Sequence, residues 1–252
     1  MMKVTEKIAL RAKSAREARP AVICCLGDSV THGCFELIDL PDCGFDTTYR
    51  PYESYGAKLS RMLNALYPAA APCVMDAGIS GDSAPGGLAR LARDVLSVSP
   101  DLVVVDFGLN DAGHEDVEAG LAAYRQAMAR IFDEVLAAGS ECMLLTPNAM
   151  CRYVPAFIRR EDLIGIARHC ADVQNGGILD RYVEAARDEA RARGLPVADA
   201  YAAWERMHRA GVDTTMLLSN GINHPTPDMH DLFAALILDQ MLGADESRGQ
   251  VP

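Results

Sequence analysis

Short apolar runs alternate with helix-like stretches along this chain, and that alternation limits what it can fold into. The runs lie at 21–26 (Ala-Val-Ile-Cys-Cys-Leu), 73–77, 101–107, 141–146 and 195–200. The third, with its Leu-Val-Val-Val core, reads as a strand buried on both faces. Helical spacing of apolar residues or helix composition fills 53–67, 87–97, 116–138 and 177–193. A last helix runs from Pro227, with Thr226 as its cap, to Leu242. Five strands, each followed by a helix, call for a parallel sheet covered on both sides, an α/β fold. No repeat or linker interrupts the 252 residues, so one domain over 1–252 is expected, with a disordered tail at 243–252. Residues 4–18 read as a short amphipathic helix and 204–210 as a short helix or turn. The segments 34–52 and 148–175 show no clean period; the first reads as a long surface loop and the second as irregular.

Charge and cysteine usage exclude several roles. A net charge of -11 disfavours nucleic acid and anionic membrane as partners. The cysteines at 24, 25, 34, 43, 73, 142, 151 and 170 form no Cys-x-x-Cys pair and no Cys/His ligand spacing. They read as reduced thiols, several serving as small core residues, and not as a disulfide framework or metal site. Neither a signal-peptide core nor a membrane-spanning run is present, so the expected location is cytoplasmic.

Four of the turns that follow strands are polar and glycine-flanked: Gly27-Asp28-Ser29, Gly78-Ile79-Ser80-Gly81-Asp82, Gly108-Leu109-Asn110-Asp111, and the stretch around His224-Pro225. A parallel sheet puts its carboxyl ends on one edge, where ligands gather. The four turns bring there a hydroxyl, an imidazole, a close-approach backbone amide and a side-chain amide donor, which are the parts acyl transfer uses. Taken alone, Ser29 is equally readable as a helix cap.

These four blocks, in this order and spanning nearly the whole chain, resemble those of the SGNH/GDSL hydrolases. The resemblance implies a flavodoxin-like three-layer α/β/α sandwich with a five-stranded parallel sheet, and ester hydrolysis without a metal or other cofactor. It further implies Ser29 as nucleophile and His224 as its base. The oxyanion hole would comprise the Ser29 amide, the Gly81 amide (with Gly78 as competitor) and the Asn110 side chain. No Gly-x-Ser-x-Gly elbow occurs, so the α/β-hydrolase signature is absent.

One position departs from the pattern. The family places an aspartate three residues before the histidine, and here that residue is Gly221, preceded by Asn220. Asn220 is the first candidate to orient His224 and a backbone carbonyl the second; Asp228, in the first turn of the last helix, is explained by the helix dipole. Ser83 is a decoy in a second Gly-Asp-Ser. Asp28 and Asp111 read as loop-holding acceptors, His230 as structural, and His32 and His114 as solvated loop residues. The role of Asn223 is open, and the aromatics of 35–52 read as loop packing. The expected activity is hydrolysis of small acyl esters, acetyl above all, possibly on carbohydrate. A lysophospholipase or thioesterase for longer chains is the alternative. A non-catalytic binding protein that has kept the fold is the reading from another class.

Overall fold

The computed structural model describes residues 1–40 and 44–243. Cys43 and the tail after Gly243, both assigned above, lie outside the described residues. Strands β1 (Val22–Gly27), β4 (Cys73–Gly78), β5 (Leu102–Asp106), β6 (Glu141–Leu145) and β7 (Val197–Ala198) form one sheet in the order β4-β1-β5-β6-β7. Every pairing in it is parallel. Residues 102–105 of β5 are wholly buried, as a central strand covered on both faces must be.

Helices α1 (Lys3–Lys13), α3 (Tyr55–Leu66), α8 (Ala200–Arg209) and α9 (Pro227–Leu242) pack together as one layer. Helices α4 (Ala84–Asp94), α5 (Val117–Ala137), α6 (Glu161–Asn175) and α7 (Ile178–Ala192) form the other. After β1 the chain adds β4 on one side, then crosses back to add β5 on the other. The strand order therefore switches between β1 and β5. Crevices open at such a point because the two connections leave in opposite directions.

Three local expectations are corrected. The stretch 34–52, expected as a long surface loop, holds two strands: β2 (Cys34–Leu40) and β3 (Gly44–Tyr49) form an antiparallel ribbon with a register shift between Cys34 and Leu37. The second half of 148–175 is helix α6, which buries Leu163, Ala167, Cys170 and Ala171. The strand expected over 195–200 is only two residues long, because Asp199 accepts the Ala202 amide and starts α8 at once. The described cysteines carry no disulfide; all but Cys73 are buried as small apolar residues. Among the described residues, no helix is long and apolar enough to cross a membrane.

Candidate active site

Ser29 opens a one-turn helix, α2 (Ser29–His32), directly after β1. Asp28 caps it by accepting the Val30 amide at 2.9 Å, and Gly33 ends it at φ +77°. The turn is tight: a Cβ at Gly27 would stand 2.7 Å from the Asp106 carbonyl oxygen, so only glycine fits before the serine turn. Arg90 of α4, itself buried, braces this edge of the sheet. Its guanidinium donates to the Gly27 carbonyl (2.8 Å), the Ala77 carbonyl (2.6 Å) and the Asp82 carboxylate (2.6 Å).

His224 reaches Ser29 from the loop before α9. Its Nε2 lies 3.0 Å from Ser29 Oγ, and its Nδ1 lies 3.0 Å from the backbone oxygen of Phe35. A carbonyl oxygen only accepts, so Nδ1 carries the proton and Nε2 presents its lone pair to the serine hydroxyl. Asn220, the first candidate from sequence, therefore does not orient the imidazole; the acceptor is a backbone carbonyl, the second candidate. Its Oδ1 is taken by the amides of Ile222, Asn223 and His224, each at 2.9 Å, and its Nδ2 donates to Asn223 Oδ1. Asn220 and Asn223 thus shape the loop that carries His224. Gly221 is unsuited to an acid as well. It sits at φ +67°, and a Cβ there would meet the Phe157 ring at 2.6 Å.

On the other side of Ser29, Gly81 stands at φ +78° with open space where a Cβ would be. Neither its amide nor that of Ser29 is taken by an acceptor among the described residues. The Gly78 amide, the competing candidate, is engaged by Asp76 Oδ1 at 2.7 Å. Asn110 Nδ2 gives one hydrogen to the Asp82 carbonyl at 2.7 Å. The other faces Asp28 Oδ2 at 3.4 Å, a long contact that leaves it open to a better acceptor.

The remaining candidates fall away from the chemistry. His32 accepts the Ser80 amide and packs on Tyr49, and His114 closes the turn before α5. Ser83 precedes α4, Asp228 is exposed on α9, and neither touches His224. His230 is buried and accepts the Tyr55 amide at 3.0 Å. Two participants escaped the sequence reading. The Phe35 carbonyl has no signature, since every residue carries one. Arg90 had a signal, a charged residue at the helical spacing of Gly87 and Leu91 on the buried face of α4.

Burial sets the electrostatics. It lowers the His224 pKa to about 4, opposed by the bond to Phe35, so the imidazole is neutral and able to accept a proton at pH 7. Behind the serine and asparagine turns, burial raises Asp28 and Asp111 to about 7, with neighbouring carboxylates adding to it. Asp111 Oδ1 accepts the Ala84 amide, whereas Oδ2 is buried without a partner. A carboxyl whose folded pKa is raised costs nothing below its unfolded value near 4, and its penalty grows as pH rises towards 7. Asp111→Asn is therefore expected to stabilise the protein by up to about 4 kcal/mol at pH 8, a Tm gain of roughly 8–16 °C, and by almost nothing at pH 4. Thermal melts of both proteins at the two pH values check this, and an equal gain at both would refute the assignment.

Ser29, Gly81, Asn110 and His224 converge on a cleft of about 180 Å³ walled by Leu37, Phe45, Leu163 and Ile166. A larger cavity of about 340 Å³ lies beside it, sharing Leu37, Leu163 and Asn220 and adding Phe157, Ile158 and Arg159.

A 90-residue stretch is 38% identical to Esterase TesA of Pseudomonas aeruginosa, covering 34% of this chain and 43% of that protein's length. Among solved structures, a lipase/acylhydrolase from Enterococcus faecalis superposes with TM-score 0.64 at 24% identity, over 89% of this chain and 96% of that one. Axe2, an acetylxylan esterase from Geobacillus stearothermophilus, does so with TM-score 0.64 at 20% identity, over 88% and 94%. At such identities these structures attest the fold. The model of the GDSL-like Lipase/Acylhydrolase family matches residues 25–232, from within β1 into α9 and so across all four turns, and the chain belongs to that family of ester hydrolases.

Proposed function

We propose that this protein is a serine esterase acting on small acyl esters, acetyl above all, as one domain. The observation that carries the reading is the Ser29–His224 contact of 3.0 Å, with His224 Nδ1 committed to the Phe35 carbonyl, at the floor of the cleft. Ser29 Oγ attacks the ester carbonyl carbon while Nε2 takes the hydroxyl proton. The carbonyl oxygen becomes an oxyanion, received by the amides of Ser29 and Gly81 and by the Asn110 N–H now facing Asp28; one such donor is worth about 3 kcal/mol. Collapse breaks the bond to the alcohol oxygen, which leaves with the proton from Nε2. A water then gives its proton to Nε2 and attacks the acyl-Ser29 carbon, releasing the acid and restoring the hydroxyl.

The cleft supports a small acyl group. At about 180 Å³ it falls below the roughly 300–1,000 Å³ of sites for drug-sized ligands. The adjoining cavity has room for the alcohol part, and its mixed lining of Phe157, Arg159 and Ser219 suits a polar body such as a sugar. The acetylxylan esterase likeness and the acidic surface both favour a neutral acetylated carbohydrate. Unpaired, buried cysteines support a reducing, cytosolic setting. The apolar residues Leu37, Phe157, Ile158 and Leu163 favour a second reading, in which the larger cavity takes a long acyl chain. A series of p-nitrophenyl esters separates the two. We expect kcat/KM to be highest for acetate and to fall by about tenfold or more at butyrate, since each methylene in a fitted pocket is worth about 1–3 kcal/mol. A rise towards octanoate would select the long-chain reading, and absence of turnover on every ester would leave a binding protein.

A further inference from the structure

The Phe35 side chain is not a bystander to its carbonyl. The Arg50 guanidinium lies over the ring, its carbon 4.5 Å from the centroid, and the His230 ring packs against it at 5.0 Å. Phe35 is wholly buried between them. Arg50 is anchored at both ends: its amide donates to the Gly33 carbonyl at 2.8 Å and its side chain pairs with Glu36 at 2.6 Å. Its Nε is buried without an oxygen or nitrogen partner, as befits a guanidinium stacked on an aromatic face. His230 is fixed through Nδ1 by the Tyr55 amide, and the Tyr55 hydroxyl bonds Thr31 Oγ1 at 2.7 Å, two residues past Ser29. The same layer thus braces the serine turn and the residue that holds the histidine.

We infer that Arg50 and His230 are positioning residues, which grip the Phe35 ring so that its carbonyl sets the tautomer and angle of His224, whose Nδ1 no carboxylate among the described residues bonds. This rests on the esterase reading for its link to rate, and on geometry alone for its link to the tautomer. A carboxylate would bind Nδ1 through charge and tolerate some displacement; a carbonyl dipole does so only at good distance and angle, so its residue needs an immobile side chain. Besides burial, two titratable groups bear on His230: Lys58 of α3, and His224 itself. Together with burial they hold His230 neutral, so the cation on the Phe35 face is Arg50 alone.

Arg50→Ala tests this, with Arg50→Lys as rescue and Phe35→Leu as a second variant that keeps the carbonyl and removes the gripped ring. Two readouts are taken: kcat and KM on p-nitrophenyl acetate, and the ¹⁵N shifts of the His224 ring nitrogens. In the wild type the shifts are expected to report a single Nδ1–H tautomer. In Arg50→Ala and Phe35→Leu we expect kcat to fall about tenfold with KM within about twofold, as for a misplaced catalytic group, and the tautomer signature to become mixed. Arg50→Lys is expected to recover most of both. An unmixed tautomer in both Arg50→Ala and Phe35→Leu would overturn the inference, whatever the rate does. If instead the wild type turns over no ester, the esterase reading fails, and the ring-nitrogen shifts still decide whether the clamp holds the tautomer.

Discussion

Ser29→Ala is expected to lower kcat/KM for p-nitrophenyl acetate by about 10³-fold or more, and His224→Ala by a similar factor, with the double variant no worse than either. The non-additivity follows from the geometry. Every proton Nε2 moves serves the formation or breakdown of the bond to Ser29 Oγ, 3.0 Å away, and without that hydroxyl the imidazole has no nucleophile to activate. What remains in Ser29→Ala is binding plus the donors around Gly81 and Asn110, which still polarise a bound carbonyl towards water. Both side chains are almost fully buried yet line the cleft, so the alanine proteins should melt within a few degrees of the parent, and loss of rate then reports chemistry. Steady-state kinetics with melting curves decide the matter, and mass spectrometry of rapidly quenched wild type should find the acyl group on Ser29. Equal rates for Ser29→Ala and wild type would remove the nucleophile from the proposal.

Gly78→Ala should be the most damaging substitution that touches none of the reacting groups. A Cβ at that position would stand 2.3 Å from the His32 amide nitrogen and 2.8 Å from both His32 Cα and the Thr31 carbonyl carbon. All three are backbone atoms of α2 or its end, so no flexible side chain can give way. Gly78 pairs in register with Gly27, and the added methyl must push the Ser29 turn away from the sheet. Overpacking of this kind costs about 1–3 kcal/mol, a Tm loss of several degrees, and a nucleophile displaced by about 1 Å costs on the order of 10² in kcat. Gly81→Ala makes the useful contrast. Its methyl meets nothing, and only the left-handed backbone at φ +78° carries a penalty, about 1–2 kcal/mol. If Gly78→Ala retains full activity and stability, the packing of α2 against β4 does not position the serine.

The central sheet was legible because its inner strands β1, β5 and β6 are buried on both faces and read as unbroken apolar runs, β5 above all. The β2–β3 ribbon was not. It is two-stranded and half exposed: β3 buries only Thr47, and β2 buries chiefly Cys34 and Phe35, so no alternation of apolar and polar residues marks it. Helix α6 escaped for another reason. Its buried stripe includes small residues, Ala167, Cys170 and Ala171, which give little hydrophobic contrast against its surroundings. The missed ribbon carries Phe35, so a backbone carbonyl could be named as a candidate behind His224 but not assigned to a residue.

Local pattern determined a good deal: an α/β chain, a parallel sheet with both faces covered, and three glycine-flanked turns after its strands bearing Ser29, Gly81 and Asn110; the fourth expected turn, around His224, follows no strand and is the loop that leads into α9. These are matters of which residue follows which, and they survive in a string of letters. Tertiary structure alone decided what stands behind His224. The acceptor there is a backbone oxygen 189 residues away, supplied by a strand whose partner strand and cation follow within about fifteen residues but whose packing imidazole, His230, comes from α9. A carboxylate triad announces its third member by residue type. A carbonyl is present at every position, and only the folded backbone selects the one at Phe35.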